Sequence, residues 1–269
     1  MKNNMQVNPK TPLHPDKKRQ LSVYYTAGYP ELDSTLPVAM SLQATGVDFL
    51  EIGFPYSDPI ADGPVIQQSS MTALQNGMNL EVLFRQLEAL RPQVHIPVYL
   101  MGYINPVLQY GVENFCRSCQ KVGINGVIIP DLPLYEYETL YQPLFEKYGI
   151  HFVFLITPHT EAERIRKIDQ LSNAFIYVLS SPSITGNALS LNDRTTDYFK
   201  RIQEMNLKNP TIVGFGIGDH HTFQQATNYA DGAIVGTAFV KILGKKNPLE
   251  NTAGFISSIR GTRFSAPEQ

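Results

Sequence analysis

The sequence predicts a single-domain (β/α)₈ barrel, the TIM-barrel architecture of the α/β class. Three observations carry that prediction. Short β-type runs alternate with longer helical ones, eight such units follow one another, and no linker or short-period repeat interrupts them. Alternating β and α elements imply a parallel sheet, and eight of them suggest closure; a doubly wound open sheet is the competing arrangement. The length of 269 residues suits one barrel, since such domains commonly run to about 250 residues.

The units read in order as follows. Residues 21–25 are β-branched and aromatic, and 34–44 carry apolar residues at helical spacing. A strand over 47–52 leads to a helix over 80–90, where Leu80, Leu83, Phe84, Leu87 and Leu90 mark one face. Strands at 97–101, 126–129, 151–156, 174–179 and 211–213 are followed by helices at 113–122, 135–147, 161–171, 194–205 and 220–229. The last strand is 232–235, and the chain is helical again from 239. Residues 1–20 are polar and hold Pro9, Pro12 and Pro15; this segment is expected to be poorly ordered, with the barrel spanning 21–269.

Composition narrows the function. A net charge of −2 points neither to nucleic acid nor to an anionic membrane. There is no apolar run of about 18 residues and no apolar h-region near the start, so a cytoplasmic protein is expected. Cys116 and Cys119 form a C-x-x-C, but both fall inside a helical run and no further cysteine exists for a Cys₄ metal site. Buried small hydrophobes are the simpler reading.

In such barrels chemistry sits at the C-terminal ends of the strands. Glu51 lies near the end of the second strand. Side chains alternate across a strand, so if Leu50 and Ile52 face the helices, Glu51 points into the barrel. Burial there raises the pKa of a carboxyl, which suits a group that takes and gives protons near neutrality. Asp62 follows in a loop rich in Pro and Gly that can fold back over the mouth; taken alone, it reads equally as the N-cap of the next helix. Gly214-Phe215-Gly216 and Gly236-Thr237 end the last two strands. Paired glycines there suggest a phosphate cradle of backbone N–H groups, because no lysine stands at a strand end. Thr185-Gly186, in the long loop after strand six, could close over the same anion.

Residues 50–64, Leu-Glu-Ile-Gly-Phe-Pro-Tyr-Ser-Asp-Pro-Ile-Ala-Asp-Gly-Pro, resemble the signature of the tryptophan synthase alpha-subunit family. Support comes from Tyr25–Pro30, Tyr103-Ile104-Asn105-Pro106, Pro130-Asp131-Leu132-Pro133, 180–186, Gly214–Ile217 and Asp231–Gly236. The resemblance implies a lyase that splits indole-3-glycerol phosphate by a retro-aldol reaction, with Glu51 and Asp62 catalytic and no metal or organic cofactor. It implies that Glu51 is the general acid and base and that Asp62 holds the indole N–H. It assigns Tyr24, Tyr103, Ile128, Tyr177, Thr185, Gly186 and Phe215 to the substrate pocket. Gly186, Gly214, Gly216, Gly236 and Thr237 fall to the phosphate.

The resemblance also implies a partner, a pyridoxal-phosphate beta subunit in an α₂β₂ assembly, touched by Asp58. Without the family, Asp58 reads as a solvated turn residue. The loops 55–64 and 180–192 are rich in Gly, Pro, Ser and Asn, so their closure should be costly in the subunit alone. Three departures stand out. No Arg lies near Ser181, Thr237 replaces the usual serine, and the N-terminal helix that usually plugs the barrel floor looks degraded. Two other functions compete: a different phosphate-binding barrel enzyme, such as an isomerase or indole-glycerol-phosphate synthase, and a barrel turned binding subunit. The absence of a strand-end lysine disfavours the first, and the intact acid pair disfavours the second.

Overall fold

The computed structural model describes residues 13, 17–180, 193–214 and 216–262. Eight strands close into a barrel in sequence order, every neighbouring pair parallel. They are β1 (Gln20–Thr26), β2 (Phe49–Gly53), β3 (Val98–Met101), β4 (Gly126–Ile128), β5 (His151–Ile156), β6 (Ile176–Leu179), β7 (Thr211–Gly214) and β8 (Gly232–Val235). The helices are α1 (Thr35–Ala44), α2 (Pro64–Gln75), α3 (Leu80–Leu90), α4 (Ile104–Tyr110), α5 (Val112–Lys121), α6 (Leu134–Glu136), α7 (Gln142–Lys147), α8 (Ala162–Leu171), α9 (Asp193–Glu204), α10 (His220–Thr227), α11 (Thr237–Leu243) and α12 (Pro248–Arg260). A π turn over Tyr137–Tyr141 joins α6 to α7. Among the described residues, no helix is long and apolar enough to cross a membrane.

The alternation expected along the strands separates two cores. Leu50 and Ile52 join Val23, Leu100, Val127 and the helix faces in an outer layer. Phe49, Tyr99, Ile128, Val153, Phe175, Tyr177, Ile212 and Ile234 fill the inside. Phe49, Tyr99 and Phe175 contact one another there, with ring centroids 5.2 to 5.8 Å apart and the Tyr99 ring edge-on to both phenylalanines. Edge-to-face stacking of this kind favours one arrangement over many, so the barrel interior is a packed core. Leu13 is buried against the same inner cluster. Of the 1–20 segment, residues 1–12 and 14–16 lie outside the described residues.

α3 shows why the helices dock. Asn79 caps it by accepting from the Val82 N–H at 3.0 Å, and all five residues of the expected apolar face are buried. Cys116 and Cys119 lie buried on α5, and burial pushes the Cys116 thiol up to about 12.

The first and last elements are tied together at the far end of the barrel from the mouth. Asp48, just before β2, accepts from the Leu21 N–H at 2.7 Å and from Arg260 of α12 at 2.8 Å, and pairs with Lys17. Arg260 also donates to the Gly46 carbonyl at 2.9 Å. Burial works against the Asp48 charge, but these donors outweigh it and hold the carboxyl below its usual range.

Two helices escape the sequence reading. α2 carries Gln and Ser among its apolar residues, so its stripe is weak. α4 is seven residues long and contains Pro106.

Candidate active site

A cavity of about 340 Å³ opens at the C-terminal ends of the strands. Tyr24, Glu51, Asp62, Met101 and Tyr177 line one part of it, and Gly216, Gly236 and Thr237 line another. This is the end at which barrel enzymes hold their chemistry.

Glu51 points inward as its strand parity requires, and is 1% exposed. Neither of its carboxyl oxygens has a hydrogen-bond partner among the described residues. Burial, and secondarily the charge of Asp62, push its pKa up to about 8. Asp62 is not a helix cap. The N-cap of α2 is Gly63, and Asp62 instead accepts a 3.1 Å hydrogen bond from the Tyr103 hydroxyl. Burial pushes the Asp62 carboxyl up to about 6, while the Tyr103 bond pulls the other way. The Ala61 N–H donates to the same Tyr103 oxygen at 3.0 Å, which ties the loop after β2 to the residue that opens α4. Tyr56 stacks against Tyr103 with centroids 5.4 Å apart and steadies that loop further.

Two tyrosines flank the pair, each seated over a glycine at a strand end. A Cβ on Gly53 would lie 2.2 Å from the Tyr24 hydroxyl, and a Cβ on Gly214 would lie 2.3 Å from the Tyr177 hydroxyl. Neither position tolerates a larger residue without moving its tyrosine. Gly214 therefore serves Tyr177 by close approach and does not line the cavity. Ile128 lies in the inner cluster, not on the cavity wall. Tyr103 is 6% exposed, beside Asp62. Asp58 is exposed on the outer loop, where Ser57 donates to it. Thr185, Gly186 and Phe215 lie outside the described residues.

Sequence reasoning missed several wall residues. Met101 and Ile234 face the cavity from β3 and β8, and their strand parity carried the signal. Lys241 and Lys245 reach its outer end from α11 and the turn after it, with Asp219 of the α10 cap close by. Looking only at strand ends misses a lysine one helical turn along; the spacing of four from Thr237 to Lys241 was the available clue.

Two buried carboxyl groups of raised proton affinity at a barrel mouth are the groups that an enzyme of acid–base chemistry requires. The sequence model of the family "Tryptophan synthase alpha chain" matches residues 12–259. The tryptophan synthase alpha chain of Flavobacterium psychrophilum is 54% identical over 244 residues, 91% of this chain and 96% of that one. That of Christiangramia forsetii is 53% identical, covering 89% and 93%. The crystal structure of the tryptophan synthase complex from Pyrococcus furiosus superposes with a TM-score of 0.82 at 32% identity, covering 91% of this chain and 99% of that one. The chain belongs to the tryptophan synthase alpha chain family.

Proposed function

We propose that Glu51 and Asp62 carry the chemistry of this family in the barrel mouth. The chain is a carbon–carbon lyase of tryptophan biosynthesis that cleaves indole-3-glycerol phosphate to indole and glyceraldehyde 3-phosphate. The supporting observation is a carboxyl group, Glu51, that lines the cavity with both oxygens unpartnered among the described residues and Asp62 in the same cavity.

The two environments divide the work. Near neutrality Asp62, at about 6, is largely ionised, whereas Glu51, at about 8, is largely protonated. Indole C3 must gain a proton, and the neighbouring side-chain hydroxyl must lose one before the carbon–carbon bond breaks. Glu51 gives the first proton and, as a carboxylate, takes the second. Asp62 beside the ring nitrogen stabilises the positive charge of the C3-protonated indole. Tyr24, Tyr103, Tyr177 and Phe215 shape the indole pocket in this reading, with Ile128 packed in the inner cluster. The phosphate lies against Gly216, Gly236 and Thr237 at the start of α11, near Gly214, with Thr185 and Gly186 closing over it.

The structural relative from Pyrococcus furiosus is a tryptophan synthase complex, and the partner implied for this chain is a pyridoxal-phosphate beta subunit. An α₂β₂ assembly in the cytoplasm, with Asp58 at the contact, completes the proposal. The test is turnover of indole-3-glycerol phosphate by Glu51→Gln, whose amide keeps the shape but carries no exchangeable acid. A loss of at least about a hundredfold in a folded variant is expected. Near-normal turnover would remove Glu51 from the mechanism.

A further inference from the structure

Behind the cavity wall runs a chain of three hydroxyl groups. The Tyr24 oxygen stands 3.3 Å from Thr26 Oγ1, and Thr26 Oγ1 stands 2.7 Å from Ser69 Oγ. Ser69 in turn donates to the Ile66 carbonyl at 2.8 Å. Thr26 is 0% exposed and Ser69 1%, so no bulk water competes for these bonds. Each hydroxyl owns one proton, and a carbonyl can only accept. Ser69 commits its proton to Ile66 and so accepts from Thr26. Thr26 then has only lone pairs left for Tyr24, and Tyr24 donates to it. The phenol is left with acceptor capacity alone on its cavity side.

Tyr24 lines the same cavity as the two carboxyl groups. Tyr24 and Glu51 are register partners across β1 and β2, and the ring rises to lie over Gly53. Burial, then the charge of Asp62 and more weakly that of Glu51, disfavour ionisation of the phenol, as expected for an oxygen close to both. The geometry points to Tyr24 as a positioning residue: its proton is turned away toward Thr26, so its oxygen presents only lone pairs to the cavity it shares with Glu51 and Asp62 and favours the protonated form of that pair. A donor in the same place would do the opposite, because it would stabilise the carboxylate. The orientation of the chain is therefore what sets the sign of the effect.

Other groups surround the pair and are held constant in the test. Tyr99 and Tyr103 approach from β3 and the loop after it, and Tyr177 from β6; Asp219, Lys241 and Lys245 stand at the outer end of the cavity. The inference rests on Glu51 and Asp62 being the acid–base pair. The test is carbon-13 carboxyl NMR titration of the full chain labelled at Glu and Asp, comparing wild type with Tyr24→Phe and Thr26→Val. Tyr24→Phe should lower the pair's upper apparent pKa by roughly half a unit or more, because it removes the acceptor. Thr26→Val should lower it further, because it frees the Tyr24 proton to turn toward the carboxyl groups. An unchanged or raised value in Tyr24→Phe overturns the proposal. If that variant does not fold, an unchanged or raised value in Thr26→Val overturns it alone. The titration is read without turnover, so the two ideas fail separately. A null shift with inactive Glu51→Gln removes only the role of Tyr24, whereas an active Glu51→Gln removes the acid–base reading itself.

Discussion

Tyr103 donates its hydroxyl proton to Asp62 at 3.1 Å and accepts the Ala61 N–H at 3.0 Å. One phenol thus fixes the position of the loop after β2 and also separates the two acids, since a donor to Asp62 favours its charged form while Glu51 has no such donor among the described residues.

Removing that hydroxyl should draw the two acids together. In Tyr103→Phe the Asp62 carboxyl rises from about 6 toward that of Glu51. The acid limb of the kcat/KM profile should move to higher pH, and turnover below neutrality should fall by roughly tenfold. A profile that overlays the wild type would show that the bond does not tune Asp62.

Stability should depend on pH through Glu51. Its folded pKa of about 8 lies above its ordinary 4.5. Between these values the unfolded chain has lost the proton while the folded chain keeps it, so stability falls as pH rises through that window. Asp62, also raised, adds to the same slope at lower pH. The Glu51 contribution is on the order of a few kcal/mol. Urea unfolding of Glu51→Gln should show a much flatter dependence on pH than the wild type. Parallel curves would mean that Glu51 ionises freely in the folded protein.

Gly236→Val tests the phosphate end. The three atoms nearest a Cβ there would be Tyr24 carbons, the closest at 3.6 Å, so the fold should accept it. The methyl branches would crowd the space in front of the α11 N–H groups. KM should rise by about tenfold with kcat less affected, a loss of about 1.4 kcal/mol in binding. An unchanged KM would place the phosphate elsewhere.

Asp58→Ala tests the partner surface. The residue is exposed and does not line the main cavity. Turnover by the isolated chain should stay close to wild type, while stimulation by added beta subunit should shrink several-fold, by about 1 kcal/mol of docking energy. Equal loss in both assays would put Asp58 in the active site, and no loss in either would leave it a turn residue.

Much of this site could be read from residue order because strand parity is a local rule. Leu50 and Ile52 on one side force Glu51 to the other, and no long-range information is needed. Asp62 was ambiguous for the opposite reason: cap and active-site acid look alike in sequence, and only the reach of Tyr103 from beyond the next strand separates them. The hydroxyl chain from Tyr24 to Ser69 links residues 43 positions apart between Thr26 and Ser69, with no periodic mark on any of them. Lys241 escaped because helix spacing, not strand ends, brings it to the cavity. Leu13 escaped because one apolar side chain among prolines carries no pattern, yet the inner core accepts it.

The Asp48 cluster also joins parts of the chain that are synthesised far apart in time. Its carboxylate binds the backbone of β1 on one side and Arg260 on the other, and β1 pairs with β8 along the same seam. As the chain leaves the ribosome, β1 can lie beside β2 early, but its other edge has no partner until residue 232 has been made, and Asp48 lacks its guanidinium until residue 260 follows. Until β8 has been made, β1 has one edge without a strand partner, the kind of surface that captures other strands. Closure therefore waits on β8, and Arg260 clamps the closed seam afterwards by joining α12 to Asp48.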